Sequence, residues 1–285
     1  MKLIVISGRS GSGKSTVLNA LEDAGYNCID NFPVILLQSL VHNTLRDPGR
    51  RQGNLAVCID ARSSDLEQFG EILMSIDRMD VDCEIIYLDA RSPTLVKRFS
   101  ETRRRHPLTN ATTDLRQAID AEVEILESIA DLADLTIDTT QLTSQELGAV
   151  IADRVLARAA SGISLLFRSF GFKFGVPVDA DLVFDLRCLP NPHWQPDLRP
   201  LTGRDPAVAD FLSAEPMVEE MFNDLASYLD SWIPRFEDNA RVYMTVALGC
   251  TGGQHRSVYM AERLTERFRP RFDNVLIRHR ELDRP

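Results

Sequence analysis

Short, uniformly apolar runs alternate along this chain with longer stretches whose apolar positions recur every three or four residues, the pattern of strand followed by helix. Over the first 160 residues it predicts strands at 3–7, 26–30, 55–60, 84–89 and 134–138. Helices are predicted at 14–24, 33–46, 65–78, 93–104, 115–131 and 144–160. Runs such as Leu3-Ile4-Val5-Ile6 are apolar on both faces. Strands of that kind are buried between two helical layers, so the expected architecture is α/β, with a doubly wound parallel sheet. Ser161 to Gly175 loses the helical period, and the domain boundary is expected just before it, dividing the chain into 1–160 and 161–285. Strands are predicted at 163–170, 181–186, 241–248 and 274–279, with helices near 206–232 and 257–268. A Pro-rich loop, Leu189 to Pro196, separates the 181–186 strand from the helices. The second domain is thus a smaller α/β unit, and it does not repeat the first.

Composition narrows the class. At 285 residues with 44% hydrophobic content, the chain is long enough for two well-formed cores. Its five cysteines, Cys28, Cys58, Cys83, Cys188 and Cys250, show neither C-x-x-C nor His-paired spacing, and no long apolar run or charged leader is present. A soluble, cytoplasmic, reducing setting is expected, without structural zinc and without membrane attachment. A formal net charge of −10 argues against a protein that coats nucleic acid generally. Residues 263–284 nevertheless carry seven arginines against four acids, either a local basic surface or a solvated helix and strand face.

The first strand runs straight into Gly8-Arg9-Ser10-Gly11-Ser12-Gly13-Lys14-Ser15, which fits G-x-x-x-x-G-K-[ST] at every fixed position. The glycines let backbone N–H groups converge on phosphate oxygens, Lys14 adds a point charge toward the β- and γ-groups, and the Ser15 hydroxyl can ligate Mg²⁺. The helix that begins at Lys14 turns its N-terminus toward the same phosphates. The implied ligand is a nucleoside triphosphate. Asp30, Asp60, Asp89 and Asp138 each end a strand, where α/β sheets bind ligands. Asp60 is the expected second Mg²⁺ carboxylate, with Asp89 its competitor and a helix N-cap the alternative for either. Arg62 could read a base or phosphate, or form a surface salt bridge. Lys97-Arg98 and Arg103-Arg104-Arg105-His106-Pro107 lie where small-molecule kinases carry an arginine-rich lid; the run could equally cap a helix C-terminus or contact RNA.

A second loop, Gly249-Cys250-Thr251-Gly252-Gly253-Gln254-His255-Arg256-Ser257, joins the 241–248 strand to the 257–268 helix. Its Cys-x₅-Arg-Ser spacing is that of the tyrosine phosphatase loop. Helix-end N–H groups and a bidentate Arg256 would bind a phosphate dianion. Catalysis would also need Cys250 as a thiolate and a general acid, and Gly249 stands where phosphatases carry His. A non-catalytic phosphate site, a phosphatase and a glycine-rich turn all remain open. Arg187, Asn191 and His193 could approach the same strand tips.

With both loops located, the whole chain resembles the RapZ-like (YvcJ) family of nucleotide-binding proteins. The resemblance rests on Gly8 to Ser15, Tyr26 to Pro33, Asp60-Ala61-Arg62-Ser63, Glu101 to Leu108, Ser169 to Lys173, Asp185 to Pro192 and Gly249 to Val258. It implies binding and slow hydrolysis of ATP and GTP with Mg²⁺, with Gly8 to Ser15 as the ATP segment and Asp60, Ala61, Arg62 and Ser63 as the GTP segment. It implies a homo-oligomer as well. Its RNA-adapter member binds small regulatory RNA, presents it to an endonuclease, and senses glucosamine-6-phosphate through the second domain. The resemblance therefore implies a sugar-phosphate site at Thr251 to Ser257. One departure concerns the C-terminus: Arg278-His279-Arg280-Glu281-Leu282-Asp283-Arg284-Pro285 interleaves acids with its arginines and has no lysine. Interleaved acids weaken a counterion-release surface. A small-molecule kinase remains the alternative reading of the same loop.

Overall fold

The structure, a computed structural model, describes residues 1–46, 54–63, 65–77, 81–102, 105–110, 112–157, 162–239 and 241–282. Arg103 and Arg104 of the arginine run and Asp283 to Pro285 at the C-terminus lie outside the described residues. The chain divides into two compact units, Met1–Ala157 and Arg158–Pro285.

In the first unit β1 (Lys2–Gly8), β2 (Asn27–Ile29), β3 (Leu55–Cys58), β4 (Asp82–Asp89) and β5 (Leu135–Asp138) form an all-parallel sheet in the order β2-β3-β1-β4-β5. Its helices are α1 (Lys14–Asp23), α2 (Leu37–Arg46), α3 (Phe69–Asp77), α4 (Ser92–Thr102), α5 (Leu115–Ala130) and α6 (Ser144–Ile151). β1 lies at the centre, with Leu3, Ile4, Val5 and Ile6 fully buried, as expected of an apolar strand covered on both faces. Helices predicted at 33–46 and 65–78 each begin with a 3₁₀ turn, at Val34–Leu36 and Leu66–Gln68. The helix predicted over 144–160 is α-helical only to Ile151 and then widens into a π turn over Ala152–Leu156. α5 and α6 start on reciprocal capping boxes, Asp114 with Gln117 and Thr143 with Glu146, which satisfy N-terminal amides that a helix leaves unpaired.

The second unit holds β6 (Ser164–Gly171), β7 (Leu182–Asp185), β8 (Tyr243–Cys250) and β9 (Asn274–His279), parallel and ordered β7-β8-β6-β9. It is α/β, and its strand order differs from that of the first unit. The single helix expected near 206–232 is two, α7 (Pro206–Ser213) and α8 (Pro216–Asp238). Pro216 has no N–H to continue the α7 ladder and disfavours helical backbone at Glu215, so it opens a new helix instead. α9 (Arg256–Phe268) packs its buried face, including Met260, Leu264 and Phe268, into the core built on β6 and β8. No helix among the described residues is long and apolar enough to cross a membrane.

Candidate functional site

β1 ends at Gly8, beside the neighbouring strand: a Cβ there would stand 2.0 Å from the Leu88 carbonyl oxygen, and φ is +142°. Only glycine fits. The chain then loops over to Gly13, φ +109°, which caps α1 at Lys14. Almost every loop residue is held from outside. Arg9, 5% exposed, is turned away from the loop's mouth. Its Nε donates to Asp89 Oδ1 at 2.6 Å, and its Nη atoms donate to Ser92 Oγ at 3.1 Å and to the Ala90 carbonyl. Ser10 donates its amide (2.8 Å) and hydroxyl (2.6 Å) to the two oxygens of Glu122. The Gly11 carbonyl accepts from Arg98 at 2.9 Å, and the Ser12 carbonyl accepts from the Thr139 hydroxyl at 2.8 Å. The Lys14 ammonium donates to the carbonyls of Gly8 (2.6 Å) and Arg9 (3.2 Å). The loop is therefore preorganised, with the Lys14 charge held at its centre.

A cavity of about 630 Å³ opens over this loop. It collects Ser10, Gly11, Ser12, Gly13, Lys14 and Ser15 from the loop, Asp30 from the tip of β2, Asp60 and Arg62 from the tip of β3, Arg98 and Phe99 from α4, and Arg105 and Pro107 beyond it. Its far wall is Thr139, Leu142, Thr143, Ser144 and Leu147. Gly8, Arg9, Ala61 and Ser63 do not line it. Gly8 is spent on the close approach to β4 and the Arg9 side chain on Asp89, so of the expected nucleotide segments these residues lie behind the cavity wall. Ala61 packs on the core, and the Ser63 hydroxyl accepts the Val34 amide at 3.1 Å.

Of Asp60 and Asp89, only Asp60 lines the cavity. Asp89 Oδ1 accepts both Arg9 and the Ala90 amide, whereas Asp60 faces the cavity. Asp60 takes a forked pair of bonds from Arg62, Nε at 3.0 Å and Nη2 at 2.5 Å, and the Arg62 amide at 2.9 Å. Burial would raise its pKa, but the Arg62 bonds outweigh it and hold Asp60 below the usual carboxylate range. Ser15, Asp30 and Asp60 fit Mg²⁺, which keeps most of its waters and needs only one or two protein oxygens beside the phosphates. No cluster of three or more metal-ligating side chains occurs among the described residues, so these groups would hold the ion together with a ligand's oxygens. Of the basic pair on α4, Arg98 turns into the cavity, while Lys97 stays outside beside Glu101 at 3.8 Å.

The sequence reading missed Glu122. It sits on the core face of α5, in the row Ala118, Ile119, Glu122, Leu126, Ile129, and is fully buried. A carboxylate in an apolar helical row is the signal that would have found it.

In the second unit a cavity of about 480 Å³ is lined by Asn191, His193, Cys250, Thr251, Gly252, His255 and Arg256, with Lys173, Trp194 and Glu281 beside them. Arg187, Gly253 and Ser257 are elsewhere. Arg187 forks onto Asp185 (2.6 Å) and stacks 3.9 Å from the Phe172 ring centre. The Gly253 amide points at Cys250 Sγ (3.3 Å), and Ser257 Oγ lies 3.1 Å from the same sulfur. Arg256, 4% exposed, donates to the carbonyls of Arg187 and Leu189, both at 2.9 Å, and its Nε has no partner among the described residues. Burial holds His255 below the usual imidazole range. A side chain at Gly249 would meet the Phe170 and Phe172 rings at 2.5 Å, which leaves no room for a phosphatase-type histidine.

Residues 1–159 match the family model described as the RapZ-like N-terminal domain, and residues 163–283 match the RapZ C-terminal domain. A nucleotide-binding protein of Pseudomonas putida is 53% identical over 284 residues, 99% of this chain and 100% of that protein. One from Azotobacter vinelandii is 52% identical over the same shares. Among solved structures, a sugar kinase from Janibacter sp. HTCC2649 aligns over 53% of this chain and 92% of its own, at 15% identity and TM-score 0.37. A shikimate kinase from Bacteroides thetaiotaomicron aligns over 53% and 96%, at 13% identity and TM-score 0.37.

Proposed function

This chain belongs to the RapZ-like family of nucleotide-binding proteins, and we propose that its first unit binds ATP or GTP with Mg²⁺ at one shared site and hydrolyses it slowly, as a regulatory rather than metabolic step. The observation that carries this is the single cavity that holds both the loop segment Ser10 to Ser15 and the Asp60–Arg62 segment. Two nucleotides would need two cavities, and here the two segments face one. In this reading the loop amides and the N-terminus of α1 bind the β- and γ-phosphates. Lys14 leaves the carbonyls of Gly8 and Arg9 for the phosphate oxygens. Ser15 and Asp60 hold the Mg²⁺, which neutralises charge on those oxygens. Arg98 and Arg105 add positive charge from the other side.

Asp30, exposed at the same cavity, supports a second reading, in which a carboxylate accepts the proton of an acceptor hydroxyl and the protein is a small-molecule kinase. For the second unit, the helix-end loop with Arg256, His193 and Lys173 at one cavity supports a phosphorylated small ligand such as glucosamine-6-phosphate. RNA binding and an endonuclease partner gain less from the structure. Arg263, Arg267 and Arg271 pair with Glu219 and Asp230 of α8, so each guanidinium brings its own counter-charge.

Thermal shift tests the sites together. Mg·ATP and Mg·GTP should stabilise the wild type and Arg256→Lys but not Lys14→Ala, while glucosamine-6-phosphate should stabilise Lys14→Ala but not Arg256→Lys. The γ-phosphate should appear as free phosphate; its appearance on an acceptor would favour the kinase. Equal nucleotide shifts in Lys14→Ala would remove the site.

A further inference from the structure

Glu122 is an uneconomical choice for structure alone. Its side chain is fully buried in the apolar row of α5, where a hydrophobic residue of similar size would pack without desolvating a charge. What it holds explains the choice. One face of the carboxylate takes the amide and hydroxyl of Ser10, inside the phosphate loop and 112 residues away in sequence. The other meets His106, whose Nε2 lies 3.1 Å from Oε2 and whose own exposure is 2%. His106 stands between Arg105 and Pro107, which both line the nucleotide cavity, and its ring rests 5.0 Å from that of Phe99, which lines it too.

The approach of His106 to Glu122 is close in distance but off the line that an aligned hydrogen bond requires. The Ser10 bonds, by contrast, are short and made. The carboxylate therefore has one side fixed on the loop and one side that improves if the segment carrying Arg105 shifts.

The geometry points to Glu122 as a positioning residue: it fixes the Ser10 amide of the phosphate loop and, through His106, couples the loop to the Arg105–Pro107 segment over the nucleotide. Closure of that segment on a triphosphate aligns the His106–Glu122 pair and so reinforces the carboxylate that holds the loop in its binding shape. Neither residue touches the ligand. The coupling rests on the nucleotide reading above, since without a triphosphate there is nothing for the segment to close on.

The test is steady-state hydrolysis of Mg·ATP by the full chain, with the melting temperature of each ligand-free variant measured alongside. Glu122→Gln keeps an acceptor for Ser10 and loses the charge that faces His106. It should raise KM about tenfold, the scale of one charge-assisted bond, with a smaller effect on kcat. The double variant Glu122→Gln/His106→Asn should be no worse than Glu122→Gln, because coupled residues are not additive. An unchanged KM, or a loss seen only as lowered melting temperature and lowered kcat, would reduce Glu122 to a structural role and overturn the proposal. Additive losses in the double variant would do the same. Lys14→Ala with wild-type KM would overturn the nucleotide reading, and this coupling with it.

Discussion

A methyl group at Gly8 would meet the Leu88 carbonyl oxygen at 2.0 Å on a backbone with φ +142°, so this residue fixes how close the phosphate loop lies to β4. Gly8→Ala should destabilise the first unit by about 3 kcal/mol, from strained backbone plus a clash that backbone atoms cannot relieve. Chemical denaturation would check it, and a loss below about 1 kcal/mol would mean that β1 and β4 separate easily. That Lys14, Ser15 and Asp60 gather at one place was legible in the sequence, because it depends on fixed local spacing and on strand ends. Arg9 was not, because its partners Asp89, Ala90 and Ser92 are some eighty residues on, and nothing local distinguishes a loop arginine that faces ligand from one that braces the loop. Arg187 lies off the second cavity for a different reason: Asp185, two residues away, and the Phe172 ring compete for its guanidinium.

Among the elements, α5 departs most from its expected role. Its span and cap follow from the apolar period and from Asp114, but the period treats Glu122 as an error, and only the fold brings Ser10 and His106 to it. Burial alone would raise the Glu122 pKa; the nearby His106 ring and the bonds from Ser10 outweigh it and lower it. The groups around this carboxylate are His106, Ser10 and the Tyr87 phenol, itself pushed well above the ordinary phenol range by burial and thus neutral. A carboxylate with a depressed folded pKa contributes stability above its unfolded value, and that contribution is lost as pH falls through the folded one. The melting-temperature advantage of wild type over Glu122→Gln should therefore be full at neutral pH and shrink below about pH 4.3. A constant gap down to about pH 3 would mean that Glu122 is not held ionised. Elsewhere, element identity was legible from period and end signals, and the failures came from backbone chemistry. Pro216 divides one expected helix into α7 and α8, and 3₁₀ turns open two others.

At the scale of the molecule, two parallel sheets of different strand order each present a loop and a helix N-terminus at the carboxyl end of a central strand, β1 in one and β8 in the other. Both loops were visible in the sequence as glycine-rich turns between an apolar strand and a helix. Their content was not equally visible. The first loop opens on a cavity that Asp30 and the Arg62-paired Asp60 also line, while the second has Cys250 and Arg256 tied into its own frame. The phosphate loop and the Asp60–Arg62 segment are separated by some fifty residues in the chain and meet at one cavity in the fold, which is where the proposal places a single nucleotide. The most direct test of that claim is competition: a fluorescent ATP analogue bound with Mg²⁺ is titrated with GTP, on wild type and Lys14→Ala. A single shared site predicts full displacement of the analogue by GTP and no binding of either nucleotide to Lys14→Ala. Simultaneous binding of both nucleotides, or GTP binding that survives in Lys14→Ala, would contradict it.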